Sequence, residues 1–153
     1  LEDLIVFSPA AGTVLNLARA RVRGLELKFE ATWLATRWRG AFTWQRPKDE
    51  ETGARLQTRA SRFGSFEASR SWGSWSAGLS VVGSGERFDS IDEAAASRLP
   101  SYVRVDARLR YDISKSWKAE LHAVNLGDRR YETALGYDAP RRGVMLNVRF
   151  EAF

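Results

Sequence analysis

The sequence WKAELHA, residues 117–123, alternates apolar and polar side chains without an exception. After a long polar segment, residues 125–142, the sequence GVMLNVRF at residues 143–150 alternates again, and the chain ends at Phe153. Alternation with a period of two predicts strands with two chemically different faces. A soluble antiparallel sheet has such faces, and so has the wall of an outer-membrane barrel, which meets lipid on one side and a polar interior on the other. The terminal aromatic residue favours the barrel wall.

The composition narrows the class of protein. The chain has 153 residues, a net charge of +5 and no cysteine, which excludes disulfides, cysteine–zinc sites and thiol catalysis. A mean hydropathy of −0.38 resembles a soluble protein, but a transmembrane strand shows lipid only every second residue and also averages to a neutral value. The first residues lack a charged and apolar leader, so we expect a mature product or a fragment.

Eight strand-like runs predict an all-β fold with antiparallel up-and-down topology. Their connections alternate in length: those at residues 8–17, 47–54, 85–101 and 125–142 are long, and those at 31–33, 71–74 and 112–116 are short. Outer-membrane barrels show this rhythm, with short periplasmic turns and long extracellular loops. We therefore expect a transmembrane β-barrel segment in the outer membrane of a Gram-negative bacterium, with a periplasmic C-terminus. The predicted runs are residues 4–7, 18–30, 34–45, 56–70, 75–83, 102–111, 117–123 and 143–150.

Aromatic residues mark the predicted short turns. Trp33, Trp72, Trp75 and Trp117 all lie beside one, as does Tyr111, which predicts an interfacial girdle at one height of the barrel. In the run 102–111, a one-residue slip would turn its three arginines toward lipid at a cost of roughly 6–12 kcal/mol. We therefore expect the register to be strongly specified.

Three arginines at the start of the second run break the pattern. Arg19, Arg21 and Arg23 share the parity of Leu25 and Phe29, so they would point outward at the loop end of the strand. Two explanations are open at this point. Either a bulge at Gly24 resets the face, or the three side chains meet the phosphates of the outer leaflet.

The polar residues predict neither catalysis nor a metal site. His122 is the only histidine, and we interpret it as a polar residue of the inner wall and not as a general base, because no triad spacing accompanies it. The acidic groups at residues 49–51 and at Asp89, Asp92 and Glu93 lack the spacing of a calcium loop and are interpreted as solvated loop charge. Alternating Arg and Trp in the run 34–45 is explained by inward and outward faces, so no nucleic-acid partner is expected.

The last predicted strand has a second property. Residues 141–148 fit the pattern polar–x–Gly–x–x–apolar–x–apolar, which resembles the C-terminal signal by which bacterial barrel proteins are recognised for membrane insertion. Physically, this is an edge strand with which the barrel-assembly machinery can pair. The residues assigned to this signal are Gly143, Leu146, Val148, Phe150 and Phe153.

Three stretches resemble the TonB-dependent outer-membrane receptors. NLGDRRYE at residues 125–132 resembles the family's NL-x-D-x-x-Y-E stretch, GY at 136–137 with PRRG at 140–143 resembles the entry to its last strand, and ARVRGLE at 20–26 is similar to an A-x-x-x-G-x-E strand. The resemblance is nearest to the cobalamin (vitamin B12) transporters, through residues 131–133 and 136–137. Such receptors have 22 strands around a plug, which implies that about eight strands are the C-terminal third of the barrel, without the plug and the earlier strands.

The resemblance implies a receptor that binds a scarce nutrient in its outer loops and is driven by TonB through the plug, with no bond made or broken. We expect cobalamin as the ligand, no cofactor, and outer-membrane lipid and lipopolysaccharide as further partners. Tyr131, Tyr137 and Arg141 are the predicted ligand-facing residues. The alternatives are a receptor for siderophores or other iron chelates, a self-contained eight-stranded barrel acting as an anchor or lipid-modifying enzyme, and a soluble β-sandwich or lipocalin-like binder.

Overall fold

The computed structural model describes residues 2–8, 12–91 and 93–152. Eight strands form one antiparallel sheet in which the neighbours along the chain are also neighbours in space, with two short hairpins in the loops. This confirms the predicted all-β, up-and-down fold. The strands are β1 (Glu2–Ser8), β2 (Thr13–Trp33), β3 (Thr36–Asp49), β4 (Arg62–Trp72), β5 (Trp75–Ser84), β6 (Arg87–Phe88), β7 (Arg98–Leu99), β8 (Tyr102–Asp112), β9 (Trp117–Val124), β10 (Glu132–Ala134), β11 (Tyr137–Asp138) and β12 (Gly143–Phe150).

The alternating sequence gives the sheet one apolar and one polar face, because successive side chains of a strand point to opposite sides. On β8, Val103, Leu109 and Tyr111 are 58%, 38% and 37% exposed on the apolar face. The directly opposed pairs Val81–Val105, Leu109–Leu121 and Leu121–Leu146 extend this face across the sheet. We call the side that carries them the apolar face and the opposite side, which carries Arg104 and Asp106, the polar face.

The aromatic residues lie along one edge of the apolar face, as predicted. Trp72 and Trp75 are opposed across a two-residue turn, and Trp75 stacks on Tyr111 with ring centroids 4.4 Å apart. Trp117 contacts Phe150 at 4.9 Å in the next hairpin. This row of aromatic residues results from the tight turns, because each turn joins two strands that begin at the same height of the sheet.

The predicted position of the first tight turn was wrong. Residues 31–33 belong to β2, and the turn is formed by Leu34 and Ala35, with φ angles of 49° and 55°. A two-residue hairpin turn needs positive φ at both positions, for which glycine and asparagine are the usual residues. The long paired strands on either side impose this conformation on Leu34 and Ala35. The left-handed backbone at each of these two residues costs roughly 1–2 kcal/mol of conformational energy.

Two predicted loop boundaries also differ. Residues 13–17, expected in a long loop, are paired with β1, so only residues 9–12 separate the two strands. Residues 56–61, expected in a strand, lie in the connection between β3 and β4, where Leu56 is 4% exposed. Outside the apolar band both sides of a strand meet polar surroundings, so alternation no longer distinguishes strand from loop.

The bulge at Gly24 is excluded. β2 and β3 keep one register from Ala20–Asp49 to Trp33–Thr36, with Gly24 opposite Gln45. Arg21 and Arg23 therefore share the apolar face with Leu25. At the two edges of the sheet lie β1 and β12, which do not pair with each other within the described residues. The sheet is an open wall and not a closed eight-stranded barrel.

Candidate functional site

The best-buried part of the molecule lies in its long connections. We call residues 50–61, 85–101 and 125–142 the loop cluster. Leu56, Ala60, Leu99 and Ala139 are among the few buried apolar residues, at 9% exposure or less. Because a sheet one layer thick cannot bury its own faces, this small apolar centre is what orders the loops.

Hydrogen bonds join the three loops to one another. The Thr58 amide donates to the Phe88 carbonyl at 2.7 Å, and Gln57 Nε2 donates to the Asp89 carbonyl at 2.6 Å. The Leu135 amide donates to Asp89 Oδ2 at 2.8 Å. Asp89 thus links all three loops, and the cluster forms one continuous surface above the polar face.

Asn125 organises the last loop. Its side chain is 1% exposed, and Nδ2 donates to the Arg129 and Pro140 carbonyls at 2.9 and 3.1 Å. Its Oδ1 accepts from the Arg129 amide at 2.9 Å, and its own amide donates to Asp106 Oδ1 at 2.8 Å. With φ at 51°, Asn is well suited to a position where the backbone is left-handed. These bonds fix both ends of the loop to β8.

An ion pair closes the same loop. Arg141 donates to both carboxylate oxygens of Asp128, with Nε to Oδ1 at 2.8 Å. The Arg142 amide also donates to Oδ1, at 3.0 Å. The hydrogen bond from Arg141 and that amide hold the pKa of the Asp128 carboxyl well below its usual range, and the carboxylate in turn raises the pKa of Arg141. Arg141, predicted to face the ligand, is engaged in holding the loop.

A cleft of about 580 Å³ lies beneath the loop cluster on the polar face. Arg87 lines it and is only 6% exposed. Its Nη2 donates to the carbonyls of Glu132 and Thr133 at 2.7 and 3.3 Å, while its Nη1 is buried with no hydrogen-bond partner among the described residues. Arginine stays charged at any physiological pH, so this site carries a buried positive charge that is incompletely compensated.

Aromatic rings and further cations surround this guanidinium. Arg87 lies 5.7 Å from the centroid of the Tyr102 ring, and Tyr102 stacks on Tyr131 at 4.0 Å. Arg104 Nη1 donates to the Tyr131 hydroxyl at 3.3 Å. Phe63 and Arg59 complete the cationic and aromatic lining. Such a surface suits a ligand that is anionic and has flat, polarisable groups.

The predicted site residues therefore have three different positions. Tyr131 joins the aromatic stack at the cleft, Arg141 is paired with Asp128, and Tyr137 is 72% exposed in the β10–β11 hairpin. Sequence reasoning missed Arg87 and Tyr102. Arg87 lies within the loop 85–101 and Tyr102 directly follows it. The acidic residues of this loop suggested only solvated charge, and no periodicity points to an arginine buried by a different loop.

The other predicted polar and assembly residues are placed as follows. His122 contacts Glu120 on the polar face, consistent with a polar residue of the wall. Gly143, Leu146, Val148 and Phe150 lie on the edge strand β12, while Asp92 and Phe153 fall outside the described residues. The described chain holds no cluster of three or more potential metal-ligating His, Cys, Asp or Glu side chains. It has no helix of the length and apolarity needed to cross a membrane.

An up-and-down wall with one apolar face, an aromatic row and polar loops that enclose a cleft is the architecture of a ligand-binding outer-membrane barrel. The family model for the TonB dependent receptor-like β-barrel matches residues 1–126. The chain belongs to this family.

Solved structures share the fold at low sequence identity. The siderophore receptor PiuA from Acinetobacter baumannii aligns with a TM-score of 0.78 at 21% identity, covering 94% of this chain and 23% of that one. The ferric-catecholate import receptor Fiu from Escherichia coli K12 aligns at 0.76 and 19% identity, with 97% and 23% coverage. The copper transporter OprC aligns at 0.75 and 16% identity, with 97% and 27% coverage.

Two consequences follow from these comparisons. The family and the similar structures are transport receptors and not enzymes, and such receptors are outer-membrane proteins. The chain spans about a quarter of the length of the receptors that it matches.

Proposed function

We propose that the full-length product of the gene encoding this chain is a TonB-dependent receptor that imports an anionic metal chelate of the siderophore class. This chain supplies the C-terminal third of a 22-stranded barrel and one side of the ligand cavity. The earlier strands, the plug and the segment that contacts TonB belong to the rest of that protein. The single observation that carries the choice of ligand is the cationic and aromatic lining of the cleft, in which Arg59 and Arg87 lie beside Tyr102 with no carboxylate in the lining.

The physical argument is one of charge compensation. A buried cation with one free donor group is destabilising by itself. An anionic ligand in the cleft would supply the counter-charge that the lining lacks, and the partly desolvated setting would strengthen the attraction. The stacked rings of Tyr102 and Tyr131 offer a flat surface for an aromatic metal-binding group. Two proteins of similar structure, a siderophore receptor and a ferric-catecholate import receptor, support the same ligand class.

Cobalamin is the second candidate. The motif that favours it, residues 131–133 with 136–137, lies at the mouth of the cleft, where the carbonyls of Glu132 and Thr133 accept from Arg87. The same cavity would receive either ligand. Net charge separates them, because a ferric tris-catecholate is a trianion, whereas cyanocobalamin carries one phosphodiester and no net charge, so a cationic cleft favours the tris-catecholate.

Direct binding to the purified full-length receptor distinguishes the candidates. The probes are a ferric tris-catecholate, a neutral ferric tris-hydroxamate and cyanocobalamin, followed by quenching of tryptophan fluorescence. We expect the tris-catecholate to bind most tightly and Arg87→Gln to weaken it at least tenfold. Arg59→Gln, which leaves the loop hydrogen bonds intact, should weaken it by a smaller factor.

Arg98→Gln is the matched control, because Arg98 lies in the same hairpin but is exposed and paired with Glu86. It should bind the tris-catecholate like the wild type. Preferential binding of cyanocobalamin, unaffected by Arg87→Gln, would replace the siderophore assignment by the cobalamin one. Uptake of the bound ligand by cells that persists after a protonophore collapses the proton gradient would contradict a TonB-dependent mechanism.

A further inference from the structure

The polar face has a trough along β4 and β5, the two strands at the middle of the sheet. Its floor consists of the directly opposed polar-face pairs Ser65–Val82, Glu67–Ser80, Ser69–Gly78 and Ser71–Ser76. We call these eight residues the trough. Glu67 is the one long side chain among them, and its Oε2 lies 3.9 Å from Arg39 Nη1. The strand pairs on either side instead carry a long charged side chain in every polar-face pair from Lys28–Ala41 to Thr32–Arg37 and from Arg108–His122 to Asp112–Lys118.

Three cavities follow one another along the trough. The cleft beneath the loop cluster shares the lining residues Ala41 and Ser65 with a cavity of about 500 Å³. That cavity shares Glu67 and Ser80 with a third one of about 290 Å³, which is also lined by Arg108. Open space therefore continues from the ligand cleft to the middle of the wall.

Arg108 is the cation of this path whose charge is not neutralised. The other arginines beside the trough pair with carboxylates: Arg37 and Arg39 with Glu30, Arg104 with Asp106, and Arg110 with Asp112. Arg108 has no hydrogen bond or ion pair within the described residues, and its Nε and Nη2 lie 3.8 Å from where a side chain on Gly78 would begin. Its guanidinium thus lies over the floor of the trough. It is six residues from Tyr102 at the cleft, or about 20 Å along β8.

We propose that the trough guides the anionic chelate from the cleft toward the periplasm, and that Arg108 is a second binding position for it. This inference rests on the proposed function, because it takes the same ligand class. The small side chains of the floor leave room between the wall and the plug, which the longer side chains of the neighbouring strand pairs do not. A single exposed cation binds an anion weakly. Passage requires such a contact, favourable enough to draw the ligand in and weak enough to release it.

The first test separates uptake from binding in cells that express the full-length receptor. Ser69→Phe fills the floor opposite Gly78. It should lower the initial rate of ferric tris-catecholate uptake about tenfold or more, while cells without a proton gradient bind the chelate as the wild type does. Arg108→Gln should lower the uptake rate about threefold, as expected for one exposed ionic contact, and Arg108→Lys should restore it. Thr32→Phe is the control, because it adds the same ring on the polar face of β2, outside the trough, and should leave uptake unchanged.

The second test measures the charge of the trough during transport. This chain contains no cysteine, so Ser69→Cys places one thiol on the floor of a receptor otherwise free of cysteine. An anionic and a cationic methanethiosulfonate of similar size probe that thiol. We expect both to react faster while the chelate is being imported, with the anionic reagent favoured about threefold over its ratio for a free thiol. Arg108→Gln should abolish this preference, whereas a merely structural role of Arg108 would leave the ratio intact.

The proposed function and this inference fail in different ways. A wild-type receptor that does not bind the tris-catecholate would contradict the ligand assignment. Intact binding with wild-type uptake in both Ser69→Phe and Arg108→Gln, each shown to be a folded barrel by heat-modifiable mobility on gels, would exclude the trough as the path. Equal losses of uptake in Ser69→Phe and Thr32→Phe, or a reagent preference that Arg108→Gln does not change, would also overturn the inference.

Discussion

Replacing Asn125 by Asp tests whether one buried amide holds the last loop together. The substitution keeps the size and shape of the side chain and the acceptor for the Arg129 amide. It replaces the donor Nδ2, which bonds to the Arg129 and Pro140 carbonyls at 2.9 and 3.1 Å, by a second acceptor. Two attractive contacts become repulsive at a position that is 1% exposed.

The magnitude follows from the lost contacts. Each neutral hydrogen bond contributes about 1 kcal/mol net, and each stranded buried carbonyl costs about 1–3 kcal/mol. Two bonds and two carbonyls give roughly 4–8 kcal/mol of lost loop stability, to which the burial of a carboxylate adds. Even three kcal/mol would correspond to about a 150-fold larger population of the open loop.

Hydrogen exchange of the full-length receptor measures this population for the peptide covering residues 126–142. We expect exchange there to accelerate at least 100-fold in the Asp variant, while β8 and β9 exchange as in the wild type. Asn147→Asp is the control, because it makes the same chemical change at an exposed position on β12. Exchange within threefold of the wild type at residues 126–142 would refute the role assigned to Asn125.

Three further outcomes are expected. Val105→Arg, on the apolar face near the middle of β8 and opposite Val81, should destabilise the barrel by about 2–4 kcal/mol in urea titrations in lipid, whereas Ser80→Arg, which faces the polar side between two opposed carboxylates, should cost less than 1 kcal/mol. Because folding lowers the pKa of Asp128, its ion pair is complete above the ordinary aspartate value of about 3.9. Loop protection should therefore be constant from pH 7 to 5 and fall only in stronger acid, a dependence that Asp128→Asn removes. Gly24→Ala should cost about 1–3 kcal/mol, because the new Cβ would lie 2.3 Å from the Trp44 carbonyl oxygen, while Gly78→Ala, with 3.8 Å of clearance, should be neutral in the same titration.

The sequence predicted the wall better than its ends. Inside the apolar band, side chains alternate because one face of the sheet meets lipid and the other meets polar surroundings. The faces of β8, β9 and β12 were therefore predicted correctly. Leu34 and Ala35 form a tight turn without glycine or asparagine, and only the register of the long strands imposes it. No local pattern carries that information.

The candidate site was predicted only in its location. The resemblance pointed to the last long loop, and Tyr131 does lie at the cleft. Arg87 becomes important only because residues 132 and 133 fold over it, a contact between residues about 45 positions apart. Arg141 was predicted to face a ligand because it lies in the last long loop. In the structure its guanidinium is paired with the Asp128 carboxylate within that loop.

The 21-residue length of β2 determines how far the β1–β2 hairpin stands from the lipid. At about 3.3 Å per residue the strand is about 70 Å long, and an apolar band about 25 Å tall uses roughly ten residues of it at the usual tilt. The remainder places the loop end of the β1–β2 hairpin about 25 Å beyond the band, whereas β5 and β9 have only 10 and 8 residues and end near the edge of the band. The β1–β2 hairpin therefore rises past the lipid headgroups to the height of the sugar chains of neighbouring lipids, while the loop cluster begins close to the membrane surface.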